Sequence, residues 1–163
     1  MKMKAFLQPV FVFLFLLFAT LPLYILLPKI HFMPLPYNLF GILIIITGLV
    51  LNLSADRMQK KNQHVEEPAK IPNKPITTGV YRFMRHPMYD GMELILIGIV
   101  LFFNSLLLFL LPLLFFIYIF IVVIPSEERE LKKVFSNEYS LYQEATKKKF
   151  FFQKPTPYDK KPK

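Results

Sequence analysis

Residues 92–124 read MELILIGIVLFFNSLLLFLLPLLFFIYIFIVVI. These 33 residues form one apolar run, too long for a single ordinary span when a helix needs ~20 residues to cross a hydrocarbon core. Asn104-Ser105 is its only polar pair and sits where a turn would divide it. The run therefore reads as a tight helical hairpin, with one arm from about Met88 to Phe103 and the other from Leu106 to Ile124. At ~1.5 Å rise per residue the first arm is short, so it can begin within the interface.

Two further apolar runs precede the hairpin. Phe6 to Leu27 is long enough to span, and it is too long for a secretory leader and lacks a small-x-small cleavage site, although Lys2 and Lys4 precede it. Pro9 and Pro22 lie near its ends, where helices tolerate proline best. Tyr37 to Ala55 is the second, and Gly41 and Gly48, seven apart, share a face that permits close packing. The spans expected are thus about 6–27, 37–55, 88–103 and 106–124 in one domain covering residues 1–153. The fold class is an all-α integral membrane protein with about four transmembrane segments. A chain of 163 residues that is 54% hydrophobic with 18 Phe is too apolar for a soluble domain.

An even number of spans puts both termini on one side. The loop from Asp56 to His86 carries seven basic residues, the chain after Pro125 carries ten, and Lys2 and Lys4 lie at the start, so 19 of 20 fall on one face. That face is expected to be cytoplasmic, in a bacterial inner membrane for so compact a chain. The net charge of +9 then serves loop retention and attraction to anionic lipid rather than nucleic acid. With no cysteine, disulfides, thiolate metal sites and a cysteine nucleophile are excluded. His31, His64 and His86 are too scattered to point to a metal.

The loop Arg57 to Thr78 is polar, and Pro68, Pro72 and Pro75 limit long helices in it. Beyond the hairpin, Ser126 to Thr146 reads as a cytoplasmic amphipathic helix. Ser126 can cap it, Glu127-Glu128 suit its positive dipole end, and Glu127, Leu131, Phe135, Tyr139 and Tyr142 form one stripe. Lys154 to Lys163, with three prolines and four lysines, reads as a disordered basic tail.

Two polar clusters sit at the borders of the hairpin. The first is Tyr81-Arg82-Phe83-Met84-Arg85-His86-Pro87-Met88-Tyr89, behind a Thr77-Thr78-Gly79 turn. Pro87 starts a helix and keeps His86 out of helical geometry. The second is Glu127-Glu128. Each residue alone has a plain reading, as an interfacial aromatic or as a helix-dipole partner. Together, on one face of a membrane, they equally suit a site in which carboxylates hold a cationic group. Asp90 and Glu93 are three apart on one helix face. A carboxylate at bilayer depth costs roughly 2.5–3.5 kcal/mol on insertion scales, so Asp90, Glu93 and Arg85 are the candidates for work on a substrate.

The run Gly79 to Tyr89, an apolar hairpin, and then Glu127-Glu128-x-x-Leu131-x-x-x-Phe135-x-x-x-Tyr139-x-x-Tyr142 resemble the isoprenylcysteine carboxyl methyltransferase family, to which phospholipid N-methyltransferases are related. The likeness covers roughly Ile76 to Phe150. It implies an integral membrane enzyme that uses S-adenosylmethionine bound at the cytoplasmic end of the hairpin. Carried over by motif, Tyr81, His86, Pro87, Met88 and Tyr89 would line the cofactor pocket. Glu127 would contact the cofactor with Glu128 beside it, the segment ending at Ile76 would supply backbone contacts, and a lipid acceptor would enter from the bilayer. No metal is implied.

One departure bears on the acceptor. In the prenylcysteine enzymes an arginine four residues before the glutamate pair recognises the substrate carboxylate; here that position is Val123. A neutral or cationic acceptor, lipid-associated or small and hydrophobic, fits Asp90 and Glu93 better. The alternative is a non-enzymatic scaffold or lipid-binding protein in which both clusters are anchors. The oligomeric state is left open by the sequence.

Overall fold

The computed structural model describes residues 3–28, 30–65, 76, 78–133 and 143, and every regular element among them is helical. Helix α1 is Met3–Leu26, α2 is Phe40–Val65, α3 is Pro87–Phe103 and α4 is Leu110–Tyr118. Short helical turns precede α2 (Tyr37–Leu39), α3 (Gly79–Arg82) and α4 (Leu106–Phe109). After α4 the chain widens into a π-helical turn, Ile119–Val123, and stays helical through residues 124–133. Three stretches are long and apolar enough to cross a membrane: Pro9–Leu26, Tyr37–Lys61 and Leu106–Lys133. With 17 residues, α3 is the short arm of the expected hairpin. This is the all-α membrane architecture expected from hydropathy.

In lipid, apolar contact alone gives helices no reason to associate, so close backbone approach and polar bonds decide which ones pair. Helices α2 and α3 run antiparallel with glycine against glycine. A Cβ built on Gly48 would lie 2.7 Å from the Gly91 carbonyl oxygen, and one on Gly98 would lie 2.7 Å from that of Gly41. The seven-residue spacing of Gly41 and Gly48 is therefore answered by the same spacing in Gly91 and Gly98. Toward the polar end of this seam Asn52 Nδ2 donates to the Met88 carbonyl at 3.2 Å, and Ala55 is fully buried.

On its other side α3 meets α1 and the α4 rod. Phe13, Leu16, Met92, Leu96, Val100, Leu111, Phe115, Ile119 and Val123 form the buried core, with the Phe13 and Phe115 rings 5.9 Å apart. Phe11, Phe15, Phe18, Phe116 and Phe120 point outward, as lipid-facing side chains do.

At the opposite end from the charged clusters, Asn104 closes α3 in the left-handed conformation (φ 51°), which asparagine tolerates better than most residues. Its Oδ1 accepts from the Phe32 and Met33 amides at 3.2 and 3.0 Å, and its Nδ2 donates to the Met33 carbonyl at 2.6 Å. His31 Nδ1 lies 2.9 Å from the Asn104 carbonyl, and the Leu106 amide donates to Ile30 O at 3.0 Å. The Asn104-Ser105 turn is thus fastened to the α1–α2 connection.

Two boundaries differ from the sequence reading. Helix α2 does not stop at Ala55 but continues to Val65. Hydropathy marks where the chain leaves lipid, whereas the helix persists until a breaker comes, and an exposed Lys60–Asp56 pair at 2.7 Å supports the extra turns. Nor does a new helix start at Ser126: the rod is continuous through residues 124–133, so Ser126 caps nothing. Pro125 is accommodated just beyond the wide turn, where the helical bonding is already displaced. The rest of the expected helix to Thr146, Gln143 apart, and the tail 154–163 lie outside the described residues.

The glycine seam yields a prediction. Gly48→Leu should cost ~1–3 kcal/mol, because the added atoms meet the Gly91 and Ile95 backbone, which cannot turn aside, as well as the Ile95 side chain. Thermal unfolding in detergent should show a clear fall in Tm, and an unchanged Tm would refute this account of the α2–α3 contact.

Candidate functional site

The polar end of the bundle is assembled from three local devices. Gly79 adopts φ +62° with the Met58 side chain packed against it, a conformation that favours glycine. It turns the chain so that Tyr81 is buried at the end of α2, hydrogen-bonded to the Gln59 side chain. Next, His86 is held at φ −126° and ψ 55° ahead of Pro87, which occupies the first turn of α3. The His86 carbonyl accepts from the Tyr89 and Asp90 amides at 3.0 and 3.2 Å, so its backbone opens the helix while its ring stays beside the helix start. Finally, the rod beyond the π-helical turn brings Glu127 and Glu128 against that start.

The two clusters meet. Arg85 Nη1 donates to Glu128 Oε1 at 2.5 Å, and the Tyr89 hydroxyl donates to Glu127 Oε1. His86 lies between the acids, Nδ1 3.5 Å from Glu127 Oε2 and Nε2 3.7 Å from Glu128 Oε1. Its ring is nearly parallel to Tyr89, with centroids 5.9 Å apart. Gln143 Nε2 donates to Glu128 Oε2 at 2.8 Å. Both Glu128 oxygens are thus held by protein donors, whereas among the described residues Glu127 has one firm bond, to a neutral phenol. The His86 side chain is 12% exposed, yet its Nε2 is buried without a hydrogen-bond partner among the described residues.

Of the residues singled out from sequence, Tyr81, Arg85, His86, Tyr89, Glu127 and Glu128 gather here. Pro87 is buried, and Met88 is half-buried with its carbonyl bound to Asn52. Ile76 is half-buried ahead of the Gly79 turn. Asp90 is exposed, while Glu93, one turn deeper than Tyr89, has Oε2 buried and without a partner among the described residues. Val123 is buried in the apolar core. Sequence reasoning missed Gln59 and Gln143. A lone amide carries no periodic or charge signal, and only the fold shows that these two face Tyr81 and Glu128.

Comparison with protein families gives a match to phospholipid methyltransferase over residues 37–138. The chain belongs to the phospholipid methyltransferase family. That family includes isoprenylcysteine carboxyl methyltransferase-like proteins, so the resemblance drawn from the two polar blocks holds at this level. The matched region starts at Tyr37, well before Ile76, and so takes in α2 and its glycine seam as well as the hairpin. Comparison with curated proteins and with solved structures gives no match. Membership of the phospholipid methyltransferase family implies a membrane-bound methyltransferase.

Tyr81 supplies a pH test of this geometry. Burial, reinforced by the negative charges of Glu127 and Asp56, outweighs the Gln59 hydrogen bond and pushes its phenol from 10.0 up to about 12. The fold thus favours the neutral phenol. That contribution is fully present below pH 10 and is lost as pH rises through 10 toward 12. Over this window the Tm of the wild type should fall more steeply than that of Tyr81→Phe, and phenolate absorbance should locate the difference. Parallel curves would show that Tyr81 titrates as an exposed tyrosine.

Proposed function

We propose that this protein uses S-adenosylmethionine to methylate a lipid-associated or small hydrophobic acceptor reached from the bilayer, with the polar end of the bundle on the cytoplasmic side. The observation that carries the reading is the juxtaposition of His86, whose buried Nε2 has no partner among the described residues, with Glu127, whose carboxylate accepts from the Tyr89 phenol and lies beside the His86 imidazole at the edge of bonding distance. A buried polar atom left unpaired in the protein alone is explained when a ligand completes it. The donor set also fits the group. A carboxylate suits its ammonium or ribose hydroxyls, imidazole or guanidinium suits its carboxylate, and surplus negative charge suits a cation in a low dielectric.

When bound, S-adenosylmethionine supplies an already activated methyl group on a sulfonium. The chain is then left with orientation and exclusion of water. Tyr81, Pro87, Met88 and Tyr89 form an aromatic and aliphatic wall, and the segment at Ile76 adds backbone. Glu127 and His86 face the ligand, and Tyr89 holds Glu127. Glu128, saturated by Arg85 and Gln143, serves to frame the pocket. The orientation rests on the 19 basic residues that share the side of these clusters.

The acceptor follows from what surrounds the site. Val123, where the prenylcysteine enzymes have an arginine, is buried in apolar core and offers a substrate carboxylate nothing. Glu93 instead presents a carboxylate oxygen on the membrane side of Tyr89 that is buried and unpartnered among the described residues. A neutral or cationic acceptor, such as a lipid amine, is therefore favoured over a carboxylate.

Calorimetric titration of S-adenosylhomocysteine into detergent-purified protein should show binding, weakened about ten-fold or more by His86→Ala or Glu127→Ala, the scale of a hydrogen bond to a charged group. Silence in a folded sample would favour a scaffold whose clusters are interface anchors. With labelled cofactor, methyl groups should appear in lipid amines rather than in prenylcysteine analogues. Turnover of the carboxylate substrate alone would sink the acceptor reading and leave the cofactor reading intact.

A further inference from the structure

Gln143 is 7% exposed and lies beyond the family-matched residues 37–138, so family membership assigns it no part. Its amide donates to Glu128 Oε2 at 2.8 Å while Arg85 holds Oε1 at 2.5 Å. We propose that Gln143 is a positioning residue for the cofactor site, locking Glu128 in place so that Arg85 is fixed and Glu127 and His86 are left to meet the ligand. The inference rests on the cofactor reading above.

The physical need for such a residue is specific. The terminal torsion of a glutamate is broad and roughly two-fold, so a carboxylate tethered through one oxygen can turn. Glu128 Oε1 already lies 3.7 Å from His86 Nε2. Turning would let Glu128 capture that nitrogen, which has no hydrogen-bond partner among the described residues. A donor on Oε2 prevents this. It must also be uncharged, because a lysine or arginine there would offset the negative charge that favours a cationic ligand. A buried glutamine meets both conditions: it restrains the carboxylate and adds no charge.

The test is calorimetry on the full chain in detergent, with circular dichroism to establish folding. Gln143→Leu, similar in size but without donors, should raise the Kd for S-adenosylhomocysteine about ten-fold. In a Glu128→Gln background the same change should add less than about two-fold, because the two residues act through one contact. Gln143→Lys restores a donor but adds a positive charge. It should weaken S-adenosylmethionine, which carries the sulfonium charge, more than S-adenosylhomocysteine, which does not, a discrimination that a purely structural role would not produce. If Gln143→Leu does not fold, Gln143→Asn, which keeps the amide but shortens its reach, carries the same measurements.

An unchanged Kd in the folded variant would overturn the proposal, as would full multiplication of the two single effects. A wild type that takes up no S-adenosylhomocysteine would overturn the cofactor reading and this inference with it. A wild type that binds while Gln143→Leu is indifferent would overturn this inference alone.

Discussion

The backbone contact between α2 and α3 is the constraint on which the other arrangements depend. Glycine at 41, 48, 91 and 98 removes the side chains that would hold the two helices apart, and seven-residue spacing on both fixes their antiparallel register. Once Gly48 meets Gly91, Asn52 falls opposite Met88, and the end of α2 comes alongside the segment that begins α3. Tyr81 then finds Gln59, and His86 stands at the mouth of the seam. A slip of one helical turn would move the ring ~5.4 Å along the axis and separate it from carboxylates that it approaches at 3.5 and 3.7 Å. In lipid, where apolar surface does not discriminate between neighbours, this kind of steric register takes over the role that core burial has in water.

The two ends of the bundle are held by different chemistry, and the difference follows from what each must do. At the Asn104 end the bonds are those of two amide side chains, Asn104 and Asn38, an imidazole and backbone groups, which fasten the turn without charge. At the other end charge is used, and it is divided unevenly. Arg85 is committed to Glu128, and Tyr89 brings no charge to Glu127. A fold needing only an anchor could have neutralised these groups. On the cofactor reading proposed above, that uneven division suits a cationic ligand, whose attraction to a carboxylate strengthens in the low dielectric beside lipid.

Much of this was legible in the sequence, and the failures have physical causes. The hairpin could be read because thirty-three apolar residues exceed one span and Asn104-Ser105 is the only polar break. The meeting of the His86 and Glu127 clusters could be read because a hairpin returns its ends to one side. The length of α2 could not be read from hydropathy, since a helix need not stop where the membrane does. The continuity through Ser126 was hidden because serine followed by two glutamates looks the same whether it starts a helix or lies within one. The Gly91 and Gly98 half of the seam was present in the sequence but acquires meaning only when paired with Gly41 and Gly48. Gln59 and Gln143 gave no signal, since their roles come from what the fold sets beside them.

The wide turn Ile119–Val123 explains how a single rod can serve both the core and the site. Leu111, Phe115, Ile119 and Val123 recur every four residues and are all buried, and Glu127 continues that spacing. In an uninterrupted α-helix each step of four advances by about 40°, so Glu127 would sit about 120° around the rod from Phe115. It would then face away from the face that packs on α3. A π-helical turn accommodates one residue more than an α turn, which takes back about 100° and leaves Glu127 within about 20° of Phe115. The same feature loosens the helical bonding just ahead of Pro125, so the proline costs less there than in a regular interior. The turn aims the carboxylates at His86 and Tyr89, and it does so among apolar residues that carry no polar motif of their own.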